Sequence, residues 1–210
     1  AYLRRKPKLS LHFDPELPRI DYSLFKTNPE DFHEVYCKAE EIYTVDFVEP
    51  QGRSVVITAF VDASFATNKK NWRSHTGYVV FINRAPILWY SKRQATVEGS
   101  TFSAEFLALK AVTESIQHLR FKLRSFGVPI LNNEASHIFC DNKSVVVNSG
   151  QVESKLIKKH NAVAYHFVRY LVAVKMITVA WIETRENLAD VFTKQLSRQK
   201  REYLFGNFTY

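Results

Sequence analysis

The sequence predicts an α/β fold in which a five-stranded mixed sheet is flanked by helices. Three observations predict it. Five short apolar runs have strand composition, two long segments carry apolar residues at helical spacing, and the two kinds of segment alternate after an initial hairpin. The order reads strand, strand, strand, helix, strand, helices, strand, helix.

The first strand is VVITAFVD (55–62), apolar enough to be buried on both faces. TGYVVFIN (76–83) and APILWYSKR (85–93) follow, with Asn83, Arg84, Ala85 and Pro86 turning the chain between them into a hairpin. A helix runs from about Thr101 to Leu123. Its stripe is Phe102, Phe106, Leu109, Val112, Ile116, Leu119 and Leu123. Gly127, Val128 and Pro129 end it. SHIFCDN (136–142) is the fourth strand and KSVVVNSG a short helical piece after it. LIKKHNAVAYHFVRYLVA (156–173) is a second long helix with an inner stripe of Ile157, Ala164, Tyr165, Val168 and Leu171. MITVAWI (176–182) is the fifth strand, and a last helix starts near Thr184 or Asn187 and runs into FTKQL. Crossovers of strand–helix–strand type make the first, fourth and fifth strands parallel, with helices on both faces.

Residues 1–52 read differently, being irregular and interrupted by Pro7, Pro15, Pro18, Pro29 and Pro50. Within them NPEDFHEVYCKAEE (28–41) fits one short helix, capped by Asn28 with Pro29 at its first position. The expected division is an extended connector over 1–52, one domain over 53–196, and a tail over 197–210 that adds a turn or two of helix.

Composition narrows the class. The 210 residues are 46% hydrophobic, enough for a real core. The single methionine is Met176, so the chain is expected to be a piece of a longer polypeptide. No apolar run has the length of a membrane span, and the opening AYLRRKPKLSLHFDP lacks a secretory apolar region. Cys37 and Cys140 are too few for a disulfide framework and read as reduced thiols in a reducing compartment. The net charge of +8 is concentrated in KKNWR (69–73), SKR (91–93), SKLIKKH (154–160) and SRQKR (197–201), which favours a polyanionic partner, nucleic acid above all.

Four acids carry the chemistry: Asp62, Glu105, Asp141 and Asp190. Asp62 and Asp141 end strand-like runs, and ligand sites in such sheets form beyond the carboxyl ends of the parallel strands. If those strands are neighbours, the two side chains lie roughly 5 Å apart. Glu105 falls in the first turns of its helix on the apolar side, where a carboxylate needs a partner. Asp190 sits in the first turn of the last helix and can reach the same spot. Each has a blander reading: a turn residue, a helix N-terminal charge or a surface glutamate. Together they have the oxygen-only character that hard divalent ions require.

The words of the sequence also carry a resemblance. VDASFA, RSHTGYVVFINRAPILWYSKRQATVEGSTFSAEFLALKA, FCDNKSVV, KKHNAVAYHFVR and NLADVFTKQL occur in the order found in the ribonuclease H domain of Copia-type (Ty1/copia, Pseudoviridae) retrotransposon polyproteins. The likeness covers about residues 53–196, and AYLRRKPKLSLHFDP resembles the segment that joins reverse transcriptase to the nuclease. It implies a ribonuclease H-like fold with strand order 3-2-1-4-5. It also implies a catalytic, metal-holding set of Asp62, Glu105, Asp141 and Asp190 binding two Mg²⁺ ions, with Mn²⁺ able to substitute. The implied activity is hydrolysis of the RNA strand of an RNA–DNA hybrid, with the polymerase of the same polyprotein as partner, in an intracellular, cytoplasmic virus-like particle. One departure stands out: the loop before the last acid, IETRENLAD, lacks the histidine that many ribonucleases H carry there. Glu183, Arg185 or Glu186 are candidates to replace it.

Substrate contacts are expected from Arg73, Lys92, Arg93, Gln94, Ser100, Thr101, Lys158, Lys159 and His160, which flank the acids or fall in the basic clusters. Trp72 is the stacking candidate among three tryptophans. A second class of function is a weak or inactive module of the same fold that positions hybrid for the polymerase. A DNA-cutting integrase or resolvase relative is a third reading, disfavoured by the acid order.

Overall fold

Apolar residues on both sides of one strand set the architecture. In the computed structural model, which describes residues 10–37, 41, 46–67, 70–154 and 161–206, β1 (Ile57–Ser64) lies at the centre of a five-stranded sheet. Its alternate residues Ile57, Ala59, Val61 and Ala63 join the main core, while Phe60 packs with a smaller core on the opposite face. β2 (His75–Ile82) divides in the same way: Tyr78 and Val80 face the main core, and Val79 and Phe81 face the smaller one.

β2 turns into β3 (Ala85–Arg93) through Asn83 and Arg84. Asn83 adopts a left-handed φ of 56°, as tight hairpin turns require, and its side-chain oxygen accepts from the Val56 amide at 2.9 Å. Pro86 is tolerated because β3 is an edge strand. β4 (Ser136–Cys140) and β5 (Ile177–Trp181) pair in parallel on the other side of β1, so the order is β3-β2-β1-β4-β5, as expected.

The helices are α1 (His33–Tyr36), α2 (Thr101–Ser125), α3 (Lys143–Gly150), α4 (Ala162–Ala173), α5 (Asp190–Thr193) and α6 (Arg198–Phe205). Phe106, Leu109, Val112, Ile116 and Leu123 of α2 are buried, so its stripe faces the sheet as the spacing required. Ala164, Tyr165, Val168 and Leu171 of α4 are buried likewise, while Ile157 and the first turns of that expected helix lie outside the described residues.

Two expectations change. The last helix is two short ones: 184–186 and 188–189 are turns, α5 is a single turn, and α6 begins only after Ser197 caps it by accepting from Lys200 N. The short N-terminal helix is a 3₁₀ turn, Pro29–Phe32, continued by α1 and stopped at Cys37, whose φ of 56° cannot extend a helix. Packing of the connector, which the sequence leaves open, is visible at its described residues. Phe32 is fully buried in the main core, Leu11 packs on the smaller one, Asp14 pairs with Arg84 at 2.9 Å, and Glu41 meets Arg124 at 2.8 Å.

Not all the basic charge faces solvent. Arg169, 2% exposed, donates to the carbonyls of Asn148, Gln151 and Val152 at 2.6–3.0 Å, satisfying the end of α3 and the turn beyond it.

Candidate metal and catalytic site

Parallel pairing of β1 and β4 ends with Val61 opposite Cys140, so Asp62, still inside a β1 that runs two residues further than expected, lies beside Asp141, the first residue after β4. Asp62, Asp141 and Asp190 each offer an oxygen within 4.8 Å of the others. Glu105 and Asp141 form a second group with Cys140 within the same limit. Asp141 is common to both, so all four acids share one end of the sheet.

Local structure explains each placement. Ser100 caps α2 by accepting from Ser103 N, which begins the helix one turn before Glu105. Glu105 is then 8% exposed and accepts from the Ala63 amide at 3.0 Å, locking the helix to the end of β1. Asp141 is followed by Asn142, which caps α3 by accepting from Val145 N at 3.2 Å. Asp190 opens α5 at 0% exposure. Asn187 holds that turn in place: its amide donates to Val61 O at 3.0 Å while its oxygen accepts from Ala189 N at 3.0 Å. Gly77 of β2 lets α5 approach, since a Cβ there would lie 2.5 Å from Thr193 Cγ2 and 2.8 Å from Phe192 Cβ.

Three residues from beyond Asp190 complete the site and were not anticipated. Thr193 donates to Asp62 Oδ2. The Lys194 ammonium bridges Asp62 Oδ1 at 3.0 Å and Asp190 Oδ1 at 2.6 Å. Lys200, from α6, donates to Asp190 Oδ2 and to Thr184 O at 3.3 Å. The spacing of Asp190 and Lys194 at i and i+4 was the readable signal for one of them. Lys200 had none, and it means that the expected tail from 197 onward contributes to the site.

Electrostatics follow from this burial. Burial pushes Asp62 above the ordinary carboxylate range, against the opposing pull of Lys194 and the Thr193 hydroxyl. Glu105 is pushed well above that range, first by burial and then by Asp62 and Asp141. Burial would lower the Lys194 ammonium, but Asp62 and Asp190 outweigh it and raise it. Cys140 is pushed well up by burial and by Glu105, so its thiol stays protonated. A neutral thiol is a poor ligand, which leaves an all-carboxylate donor set that suits a hard divalent cation. The ammonium already seated between two of the acids shows that the site accommodates positive charge.

The expected substrate contacts separate into groups. Arg73, Lys92 and Arg93 line one open cavity of about 560 Å³ with Thr67, His75 and Ser91. The register Ser64↔His75 and His75↔Arg93 sets this cavity at the same end of the sheet as Asp62. Gln94 is turned inward instead: its amide donates to Thr76 Oγ1 at 3.0 Å and Ala104 O at 2.8 Å, tying β2 to the start of α2. Ser100 is committed to its cap and Thr101 is exposed beside it. Lys158, Lys159 and His160 lie outside the described residues. Trp72 is 65% exposed. In the loop without histidine, Arg185 pairs with Glu183 at 2.7 Å and Glu186 at 3.4 Å on the surface.

Comparison with known proteins places this geometry. The chain is 30% identical over 148 residues to the "Retrovirus-related Pol polyprotein from transposon RE1" of Arabidopsis thaliana, a match covering 70% of the chain and 10% of that protein. It is 31% identical over 151 residues to the "Retrovirus-related Pol polyprotein from transposon TNT 1-94" of Nicotiana tabacum, covering 72% of the chain and 11% of that protein. The chain thus spans about a tenth of the length of the curated relatives it matches. No protein-family model matches. Among solved structures, LC11-RNase H1 in complex with RNA/DNA hybrid superposes with a TM-score of 0.51 at 16% identity, covering 65% of this chain and 93% of that one. The chain is homologous to the Ty1/copia-type retrovirus-related Pol polyproteins, and its described residues form a ribonuclease H fold.

Proposed function

We propose that the chain is the ribonuclease H region of a retrotransposon Pol polyprotein, hydrolysing the RNA strand of RNA–DNA hybrids with divalent metal ions, Mg²⁺ first and Mn²⁺ as substitute. The observation that carries this reading is the convergence of Asp62, Glu105, Asp141 and Asp190 from four separate elements on one end of the sheet. Packing alone gives no reason to bury Asp62 and Asp190 completely.

In this reading the four carboxylates hold the ions, with Asp141 shared between the two groupings. Bound divalent ions supply an activated water and neutralise charge at the departing oxygen. The chain's own residues do the rest. Ala63 N and Asn187 fix the orientation of Glu105 and of the turn that carries Asp190. The cavity lined by Arg73, Lys92 and Arg93 offers cationic groups to a phosphate backbone at the same end of the sheet. Trp72 offers an exposed aromatic face. LC11-RNase H1 was solved with an RNA/DNA hybrid, which supports hybrid as the substrate class here. Among the described residues no helix is long and apolar enough to cross a membrane.

A gel assay on labelled hybrid, double-stranded RNA and duplex DNA, across Mg²⁺ and Mn²⁺, tests this reading. Cleavage of the RNA strand of hybrid alone, dependent on the ion, is expected. Asp62→Asn or Asp141→Asn should lower it roughly 10³-fold with the circular dichroism spectrum unchanged. Retained cleavage in both variants contradicts the site. The ammonium groups on Asp62 and Asp190 favour a second reading, a non-cleaving module that binds hybrid. Hybrid binding with no cleavage in either metal would establish it.

A further inference from the structure

We propose that Lys194 is an internal cation that closes the acid site and that an incoming divalent ion must displace. This inference rests on the metal reading above and adds how the ions gain entry.

Asp62 and Asp190 are both 0% exposed, and two ionised carboxylates so placed repel each other unless positive charge lies between them. Lys194 supplies that charge, with one ammonium at 3.0 Å from the first and 2.6 Å from the second. It therefore occupies the space from which a metal ion would have to touch both oxygens. A divalent cation and the ammonium cannot share that space, because their mutual repulsion adds to the steric conflict.

The side chain is built to leave. Lys194 follows the last residue of α5, with extended backbone (φ −124°, ψ 149°), and its side chain is 34% exposed. A four-carbon stem anchored at the rim can swing its charge into solvent without moving α5. The surroundings stay fixed: Thr193 still donates to Asp62, Lys200 still holds the far oxygen of Asp190, and Asn187 still holds the turn. Displacement thus costs one lysine contact to each acid and leaves the carboxylates in place.

Calorimetric titration of the full chain with Mg²⁺ in metal-free buffer, as wild type and as Lys194→Met, tests the inference. Removal of the competitor is expected to tighten Mg²⁺ binding about tenfold. In EDTA, Lys194→Met should melt below the wild type, and its gain in melting temperature on adding Mg²⁺ should be the larger of the two. Equal or weaker Mg²⁺ binding by the variant, with the wild type binding normally, overturns the role of Lys194 and leaves the metal reading intact. Absence of Mg²⁺ binding in both proteins overturns the two together. Amine labelling of the wild type, read by mass spectrometry, covers the case in which the variant does not fold. Lys194 should be protected in EDTA and should react faster in Mg²⁺. Unchanged or slower labelling in Mg²⁺, with the melting temperature raised by the ion, overturns the displacement.

Discussion

Asp62 and Asp190 each meet an ammonium group, whereas Glu105 meets a backbone amide and faces two further acids. Both sides of the site are buried, and they are unequally compensated. On the Lys194 side, desolvation of Asp62 is opposed by a cation and a hydroxyl. On the Glu105 side, burial and the charges of Asp62 and Asp141 outweigh the pull of Lys194 and of the Ala63 amide, and the carboxyl is driven well above its ordinary range. The difference shows how the protein tolerates a cluster of acids without an ion. Lys194 touches the two aspartates directly and pulls on Glu105 only from further off, too weakly to outweigh its burial.

The comparison can be broken from either side. The largest effect is expected at the compensated side, through the backbone that carries it. Gly77→Ala would drive a methyl group into Thr193 and Phe192, forcing α5 away from β2. The cost should be about 1–3 kcal/mol, measured by chemical denaturation, and Lys194 should lose its grip on Asp62. A stability change under about 0.5 kcal/mol would mean that α5 is not clamped there.

On the less compensated side, Glu105→Gln removes a buried ionisable group but keeps an oxygen for the Ala63 amide. In EDTA at pH 8 the variant should melt about 2–4 °C above the wild type, the shift that roughly 1 kcal/mol produces in a domain of this size. Its gain on adding Mg²⁺ should shrink. A lower melting temperature in EDTA would show that the Glu105 charge is compensated after all.

A smaller effect is expected from pH. Asp62 and Glu105 have folded-state values above those of the unfolded chain, so over that interval the folded protein binds more protons. Their contribution in EDTA is therefore complete below the ordinary carboxylate range and is lost as pH rises through the raised folded values. Melting temperature in EDTA should fall over that window, and Mg²⁺ should flatten the fall. Thermal melts at closely spaced pH values, with and without the ion, measure it. The opposite slope would mean that the acids are stabilised as carboxylates.

Much of this was legible in the chain because its signals were local. The end of β4 before Asp141 followed from its apolar run, and the inward face of Glu105 followed from the α2 stripe, whereas β1 carries on past Asp62 to Ser64 because β2 continues to pair with it. Asp190 at a helix start survived even though the helix around it shrank to one turn. That shrinkage was not readable, because Asn187 and Gly77 shape α5 through contacts with β1 and β2 far away in sequence. Lys200 was unreadable for the same reason, since only tertiary packing brings α6 to Asp190. Gln94 looked like a substrate contact because it follows Lys92 and Arg93, yet just past the end of β3 its amide turns inward to Thr76 and Ala104, partners distant in sequence. Docking of the proline-rich connector was not readable either way, because Phe32 and Leu11 meet the two cores only through tertiary contacts.

Anomalous scattering from a crystal soaked in Mn²⁺ locates the ions and the lysine together. Manganese peaks should lie among the carboxylates of Asp62, Glu105, Asp141 and Asp190, with Lys194 drawn back from both aspartates. Manganese bound only elsewhere, with that lysine still bridging Asp62 and Asp190, would contradict this placement.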